Sequence, residues 1–467
     1  MTGIEIATLM VGLLIILVAC GVHIALCLIA ASMSGVLLIT GNPMVPVRML
    51  QSTAFQFLRD YVFAVIPLFI LMGDLVGRCG AAEDMFKAVN RGLRRIPGRL
   101  AVATVIGNAI FATVTGVSVA AAAAFSRFAY PAMRKAGYQQ QFSVGCIAGS
   151  AVLGMLIPPS VLMIVWGILA EQSIGQLFLA GIGPGLLLTS LLCLYIVIRV
   201  KRDPSLAPEF APEFAPGLPP VAPAARSLSA GASPPAFIER AKENAQLPMT
   251  PHEWLGAGGI GVLMLLVLGG IWGGLFTPTE AAAIGALGAL VLAFLKGMTV
   301  KQVFGVFYDT AKITAPLLLL LIAAQMYSRM LSMGGMTAAV QGLVTGLDLG
   351  PMEVLLIMVV VWLLLGMIID SVSIMLLTVP IFWPVANMLG FDPIAFAIVG
   401  ILVIECGLLT PPFGMLLFSV KSALPGQGVT IAMIVKGSLP YVGLILLTAA
   451  LVWTFPPIAT WIPRNLM

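Results

Sequence analysis

Two proline pairs interrupt apolar runs at a fixed distance. Leu156-Ile157-Pro158-Pro159-Ser160 breaks one run and Leu409-Thr410-Pro411-Pro412-Phe413-Gly414 another, at a spacing of 411 − 158 = 253. The same offset carries Pro131 onto Pro384, Gly137 onto Gly390, Tyr138 onto Phe391 and Gly154 onto Gly407. A register held over residues 131–160 indicates an internal duplication with a proline-broken apolar helix at the same place in each half. Paired broken helices in repeated membrane halves point to the binding site of a secondary transporter.

Apolar residues make up 60% of the chain and charged residues 9%, whereas a soluble domain carries about a quarter charged residues. Runs near 4–20, 22–40, 61–79, 139–170 and 176–198 in the first half, and near 254–276, 279–296, 310–332, 391–423 and 430–455 in the second, approach the ~20 residues needed to cross a bilayer. The net charge of +5 comes from the connections. It biases topology and forms no clustered basic face for nucleic acid. Cys20, Cys27, Cys79, Cys146, Cys193 and Cys406 read as small apolar residues, with no C-x-x-C pair. His23 and His252 are too far apart to suggest zinc. No phosphate-binding G-x-x-x-x-G-K-[ST] loop and no H-E-x-x-H occurs, so no enzyme activity is expected. The N-terminus has no basic region of the kind that opens a cleavable signal peptide.

Two further apolar segments, 101–129 and 352–385, are interrupted at Thr113–Ser118 and Met367–Ser373. Each arm is short for a span, which predicts re-entrant helical hairpins with tips packed in protein or facing a watery cavity. The expected fold is an all-α polytopic membrane protein of two repeats, each of about five spans plus one re-entrant hairpin. An odd span count inverts the second repeat relative to the first. Basic clusters at 87–99, 127–135 and 199–202 place the first hairpin's flanks in the cytoplasm. The predicted organisation is scaffold spans and an arm over 1–100, a core over 101–170 and a closing span over 171–202. A Pro-, Ala- and Ser-rich cytoplasmic linker follows over 203–250, too poor in apolar residues to fold. The second half repeats the order with scaffold and arm over 251–351, a core over 352–423 and a closing span with the C-terminus over 424–467.

A broken helix presents free carbonyls at one end and free amides at the other, suited to a hard cation and to an anionic group respectively. Hydroxyls at the breaks add neutral ligands, and prolines keep carbonyls unpaired by removing donors. Substrate contacts are accordingly expected from Thr113, Thr115, Ser118, Pro158, Pro159, Ser160, Ser371, Ser373, Thr410, Pro411 and Pro412. A sodium ion would draw on Thr115, Gly116, Ser118, Asp370, Ser371, Ser373, Thr410 and Gly414. An ion held there would be expected to serve as a coupling ion, and no cofactor is expected. Charged residues inside apolar segments are functional candidates by default: Asp370 at the second tip, Glu405 before the second break, and Asp74 and Glu280 nearer span ends.

The runs Ile66–Asp74, Leu156–Ser160, Gly273–Ala282 and Glu405–Gly414 resemble the large membrane subunit of TRAP (tripartite ATP-independent periplasmic) transporters. The resemblance covers nearly the whole chain outside 203–250. It implies sodium-driven uptake of a small organic acid across the bacterial inner membrane by an elevator motion of core against scaffold. Two partners are also implied, a periplasmic substrate-binding protein and a small four-span membrane subunit. The chain departs from the family's common S-G-S-S and D-P-T tips, with Thr115-Gly116-Val117-Ser118 and Asp370-Ser371-Val372 in their places. A stand-alone ion-coupled organic-anion carrier of similar architecture is the alternative reading.

Overall fold

The computed structural model describes residues 2–93, 95–208, 249–347 and 349–466, and helices dominate throughout. The first half runs α1 (Gly3–Ala19), α2 (Ile24–Thr40), α3 (Met44–Arg59), α4 (Val65–Arg78), α5 (Ala81–Gly92), α6 (Arg99–Thr115), α7 (Ser118–Lys135), α8 (Gln140–Ala151), α9 (Leu153–Leu156), α10 (Val161–Leu169) and α11 (Ile174–Arg202). The second runs α12 (Pro251–Trp272), α13 (Pro278–Leu295), α14 (Val300–Met333), α15 (Met336–Gly346), α16 (Pro351–Gly366), α17 (Ser371–Met388), α18 (Pro393–Gly407), α19 (Met415–Ala423), α20 (Ile431–Thr454) and α21 (Pro457–Leu466). Among the described residues seven helices are long and apolar enough to cross a membrane, and the pair 140–156 and 161–169, bent by 42°, makes an eighth. The expected spans at 4–20 and 22–40 are shorter apolar helices.

The offset of 253 holds for the helices as well as for the prolines. It carries Ser118, which opens α7, onto Ser371, which opens α17, and it superposes α5 on α15 and α10 on α19. Packing follows the same exchange, since α4 lies on α13 while α14 lies on α2. One element breaks the correspondence. An amphipathic helix, α3, precedes α4 in the first half, whereas the second half has one continuous helix of 34 residues, α14. Asp60 is the reason. Its carboxylate accepts from the Val62 amide at 3.0 Å and caps a short 3-10 turn over Tyr61–Ala64. The equivalent position is Ile313 (60 + 253), which offers no capping atom, so the helix runs through.

Helix starts are set by local chemistry. Thr250 with Glu253, Thr277 with Glu280, and Thr299 with Gln302 form reciprocal capping boxes that satisfy orphan amides at the heads of α12, α13 and α14. Glu280, a functional candidate by its position in the sequence, is thus a capping residue. Asp74 accepts from the Thr310 hydroxyl at 3.2 Å and braces α4 against α14.

Of the linker expected over 203–250, residues 209–248 lie outside the described residues. Its first residues are part of the fold. Leu206 and Ala207 are buried, and the Leu206 carbonyl accepts from the Gln139 amide at 3.0 Å.

The two segments read as hairpins are each two helices packed on one another, α6 with α7 and α16 with α17. The halves then interlock. Arm α10 of the first broken helix packs on α17, and arm α19 of the second packs on α7. Trp166 of α10 stacks among Trp362 and Phe396, at centroid distances of 6.2 and 5.7 Å. On the other side the Ser419 hydroxyl donates to the Val119 carbonyl at 3.1 Å.

Candidate functional site

Each hairpin tip is stitched to the broken helix of its own half. At the first, the Val161 amide donates to the Gly116 carbonyl at 3.2 Å. Gly116 has φ +61°, and a side chain there would meet the Pro159 carbonyl oxygen at 2.6 Å. Only glycine satisfies both the left-handed backbone and the close approach. At the second, the amides of Phe413 and Gly414 converge on the Met367 carbonyl at 3.1 and 3.3 Å. Gly366 and Gly407 pack backbone to backbone there, where a side chain on either would find the other's Cα at 2.7 Å. Pro158-Pro159 and Pro411-Pro412 are both joined by cis peptide bonds.

The two assemblies differ in exposure. Thr113, Thr115, Ser118, Pro158, Pro159 and Ser160 are buried. On the second side Ile368, Pro411, Pro412 and Phe413, the counterparts of Thr115, Pro158, Pro159 and Ser160, are exposed, while Gly366 and Ser371, the counterparts of Thr113 and Ser118, are buried. Asp370, Thr410 and Met367 are half-buried.

Most of the hydroxyls named from the sequence serve their own helices. Thr113 donates to Ile110, and Thr115 to Phe111, at 2.6 and 3.0 Å. Ser160 donates to the Met155 carbonyl at 2.5 Å and accepts from the Met163 amide at 3.4 Å, so it caps α10. Thr410 donates to the carbonyls of Cys406 and Gly407 at 3.0 and 2.7 Å. Asp370 is the N-cap of α17, accepting from the Ser373 amide at 3.0 Å and from the Ser373 hydroxyl. These oxygens keep lone pairs for a ligand, but their orientation is set locally. Among the described residues no group of three or more His, Cys, Asp or Glu side chains gathers as a metal site.

Two residues come together across the halves. Ser118 and Ser371 open α7 and α17, and both hydroxyls adjoin the carboxylate of Glu405 on α18. Glu405 is fully buried. Neither of its oxygens, nor the Ser118 Oγ, has a formed hydrogen bond. No ion pair reaches it among the described residues.

Sequence reasoning missed Asn108. Its Nδ2 donates to the Ser150 Oγ at 2.7 Å, linking α6 to the first broken helix, while its buried Oδ1 is unpartnered. The available signal was an amide side chain inside an apolar hairpin arm, which is costly to bury unless it is paired.

These features define a helical membrane transporter, with four interruptions of apolar helices gathered in one core. Residues 11–458 match the family described as the DctM component of the tripartite ATP-independent periplasmic transporters. The chain belongs to that family and is a transporter permease rather than an enzyme. It is 32% identical to the C4-dicarboxylate TRAP transporter large permease protein of Pseudomonas aeruginosa, over 90% of each chain. It is 30% identical to the ectoine TRAP transporter large permease protein of Halomonas elongata, over 99% of each. Among solved structures it shares its fold with the YdaH transporter of Alcanivorax borkumensis, with a TM-score of 0.55 at 18% identity, covering 90% of this chain and 89% of that one.

Proposed function

We propose that this chain carries a small organic acid across the bacterial inner membrane by coupling it to sodium. In this reading a periplasmic binding protein delivers the substrate, and a small four-span subunit braces the permease in the bilayer. Family membership supports both partners. Relatives are named for C4-dicarboxylates, ectoine and sialic acid. These ligands differ in size and net charge but share a carboxylate, which suits helix N-termini at the tips.

The observation that carries the reading is the packing of each hairpin tip on the broken helix of its own half and of each broken helix on the other half's hairpin. Free backbone groups are tolerated at membrane depth only when packed in protein or lining a cavity. The helix correspondence at 253 residues supports two halves related by inversion, with the first tip entering from the cytoplasm and the second from outside. The exposure asymmetry supports a single state of alternating access, with the first tip closed and the second open. An elevator motion would exchange them, moving the core (101–170 and 352–423) against the remaining spans.

Uptake by purified permease, its two partners and liposomes tests the coupling. A sodium gradient is expected to drive accumulation at least tenfold above potassium or choline controls. Equal accumulation driven by a proton gradient without sodium would refute it. The motion is tested with single cysteines at Val117 and Ile368 in a chain whose six native cysteines are replaced. The two should label from opposite faces of the membrane, at rates that change with sodium. Labelling of both from one face would overturn the inverted arrangement.

A further inference from the structure

We propose that Ile368 and Phe413 form an apolar wall of the substrate site, which selects acids that join one carboxylate to a hydrocarbon tail over dicarboxylates and polyhydroxy acids. The assignment rests on the organic-acid reading and deepens it by naming the class of acid.

The repeat supplies the comparison. At the first tip and break the chain places Thr115 and Ser160, and both are buried. The offset of 253 carries them onto Ile368 (115 + 253) and Phe413 (160 + 253), which are 61% and 59% exposed. Hydroxyls sit inside and hydrocarbon lies bare, the reverse of the ordinary placement. The Phe413 amide donates to the Met367 carbonyl at 3.1 Å, so the two bare residues flank one backbone contact between tip and break.

Lipid does not account for this surface. Arms of 16 and 18 residues set the second tip about 24 Å from the hairpin's ends, inside a hydrocarbon layer of ~30 Å. Pro411 and Pro412 are exposed there, and among the described residues no group donates to their carbonyls. Irregular backbone at that depth is tolerated against protein or a watery cavity and not against lipid. The surface that carries Phe413 therefore borders water, where bare hydrocarbon is unfavourable until an apolar group covers it.

Charge decides which end of the substrate does so. Asp370 stands two residues after Ile368 at the same tip and caps α17, accepting from the Ser373 amide at 3.0 Å. The equivalent position in the first half is Val117 (370 − 253). A substrate carboxylate brought to the second tip meets a like charge, so this side takes the uncharged end. A dicarboxylate would bring its second charge against Ile368 and Phe413, and a sugar acid its hydroxyls. Neither finds a hydrogen-bond partner on those side chains, and the mismatch discriminates against both.

The test measures saturable binding of radiolabelled hexanoate to the purified full-length chain in nanodiscs with sodium present, empty nanodiscs correcting for partition into lipid. Unlabelled acetate, butyrate, succinate and gluconate compete. In the unaltered chain affinity should rise about tenfold from acetate to butyrate and again to hexanoate, in line with burial of two methylenes at each step. Succinate and gluconate should compete no better than acetate. Ile368→Thr and Phe413→Ser, which import the first half's residues, should each weaken hexanoate about tenfold and leave acetate unchanged. Binding that does not depend on chain length, or succinate or gluconate competing as well as hexanoate, would overturn the proposal. So would the same chain-length dependence in both variants as in the unaltered chain. Absence of saturable binding for all five acids would instead refute the organic-acid reading itself.

Discussion

Asp84→Asn or Lys296→Met alone is expected to destabilise the folded chain by about 3–5 kcal/mol, because each strands a buried partner charge or polar group. The two side chains meet at 2.5 Å and are only 8% and 4% exposed. Lys296, at the C-terminal cap of α13, also approaches His252 Nδ1 at 2.9 Å and donates to the His252 carbonyl at 3.2 Å. The cluster fastens α5, the arm of the first half, to α12 and α13 of the second. Lys87 reinforces the same contact, pairing with Glu83 at 3.1 Å and Glu253 at 3.2 Å. Those two outer pairs are partly exposed and contribute ~1 kcal/mol or less each. The double variant Asp84→Leu with Lys296→Met should recover most of the loss, since apolar side chains of similar volume replace a buried ion pair at little net cost. Thermal unfolding in detergent, read as loss of monodisperse protein, measures all three. Additive losses in the double variant would show that the pair does not act as a unit.

Gly366→Val and Gly407→Val are each expected to cut uptake by about a hundredfold or more while the chain still inserts. The two glycines let α16 and α18 touch backbone to backbone, and a branched side chain on either would sit within 2.7 Å of the other's Cα. Overpacking of this kind is relieved only by backbone displacement. The displacement falls next to the Met367 carbonyl, on which the Phe413 and Gly414 amides converge. The second tip would separate from the second break. Gly261→Ala in α12, where nothing lies within 4 Å of an added methyl, serves as the control and should be neutral. Initial uptake rates in proteoliposomes, normalised to inserted protein, make the measurement. Near-normal uptake by both valine variants would mean that this contact does not hold the working geometry.

Much of the architecture was legible in the residues because the dominant signals are local or periodic. Apolar runs reveal spans without reference to partners, since the bilayer imposes their length and composition. Prolines and short polar interruptions mark breaks, because they remove or compete for helix hydrogen bonds. The 253-residue register in the prolines recurs in the helix boundaries, where it carries Ser118 at the start of α7 onto Ser371 at the start of α17. The α3 helix escaped, because an amphipathic helix beside a span lacks a long apolar run, and Asp60 ends it with a single side-chain contact. Hydroxyl-bearing tips were legible as a set, but the role of each was not. Thr113, Thr115, Ser160, Ser373 and Thr410 all satisfy nearby groups in their own segments.

Sequence by itself determined that this chain is helical and carries apolar segments broken by prolines and short polar stretches, because hydrophobic patterning and proline chemistry act within a few residues. Tertiary structure alone decided which groups meet. Ser118, Ser371 and Glu405 are separated by 253 and 34 residues (371 − 118 and 405 − 371), and no local rule connects them. They come together because each broken helix packs on the other half's hairpin, an arrangement settled by side-chain volume and backbone approach across the whole core. Glycine contacts, such as Gly366 on Gly407, then fix how closely the tips approach the breaks.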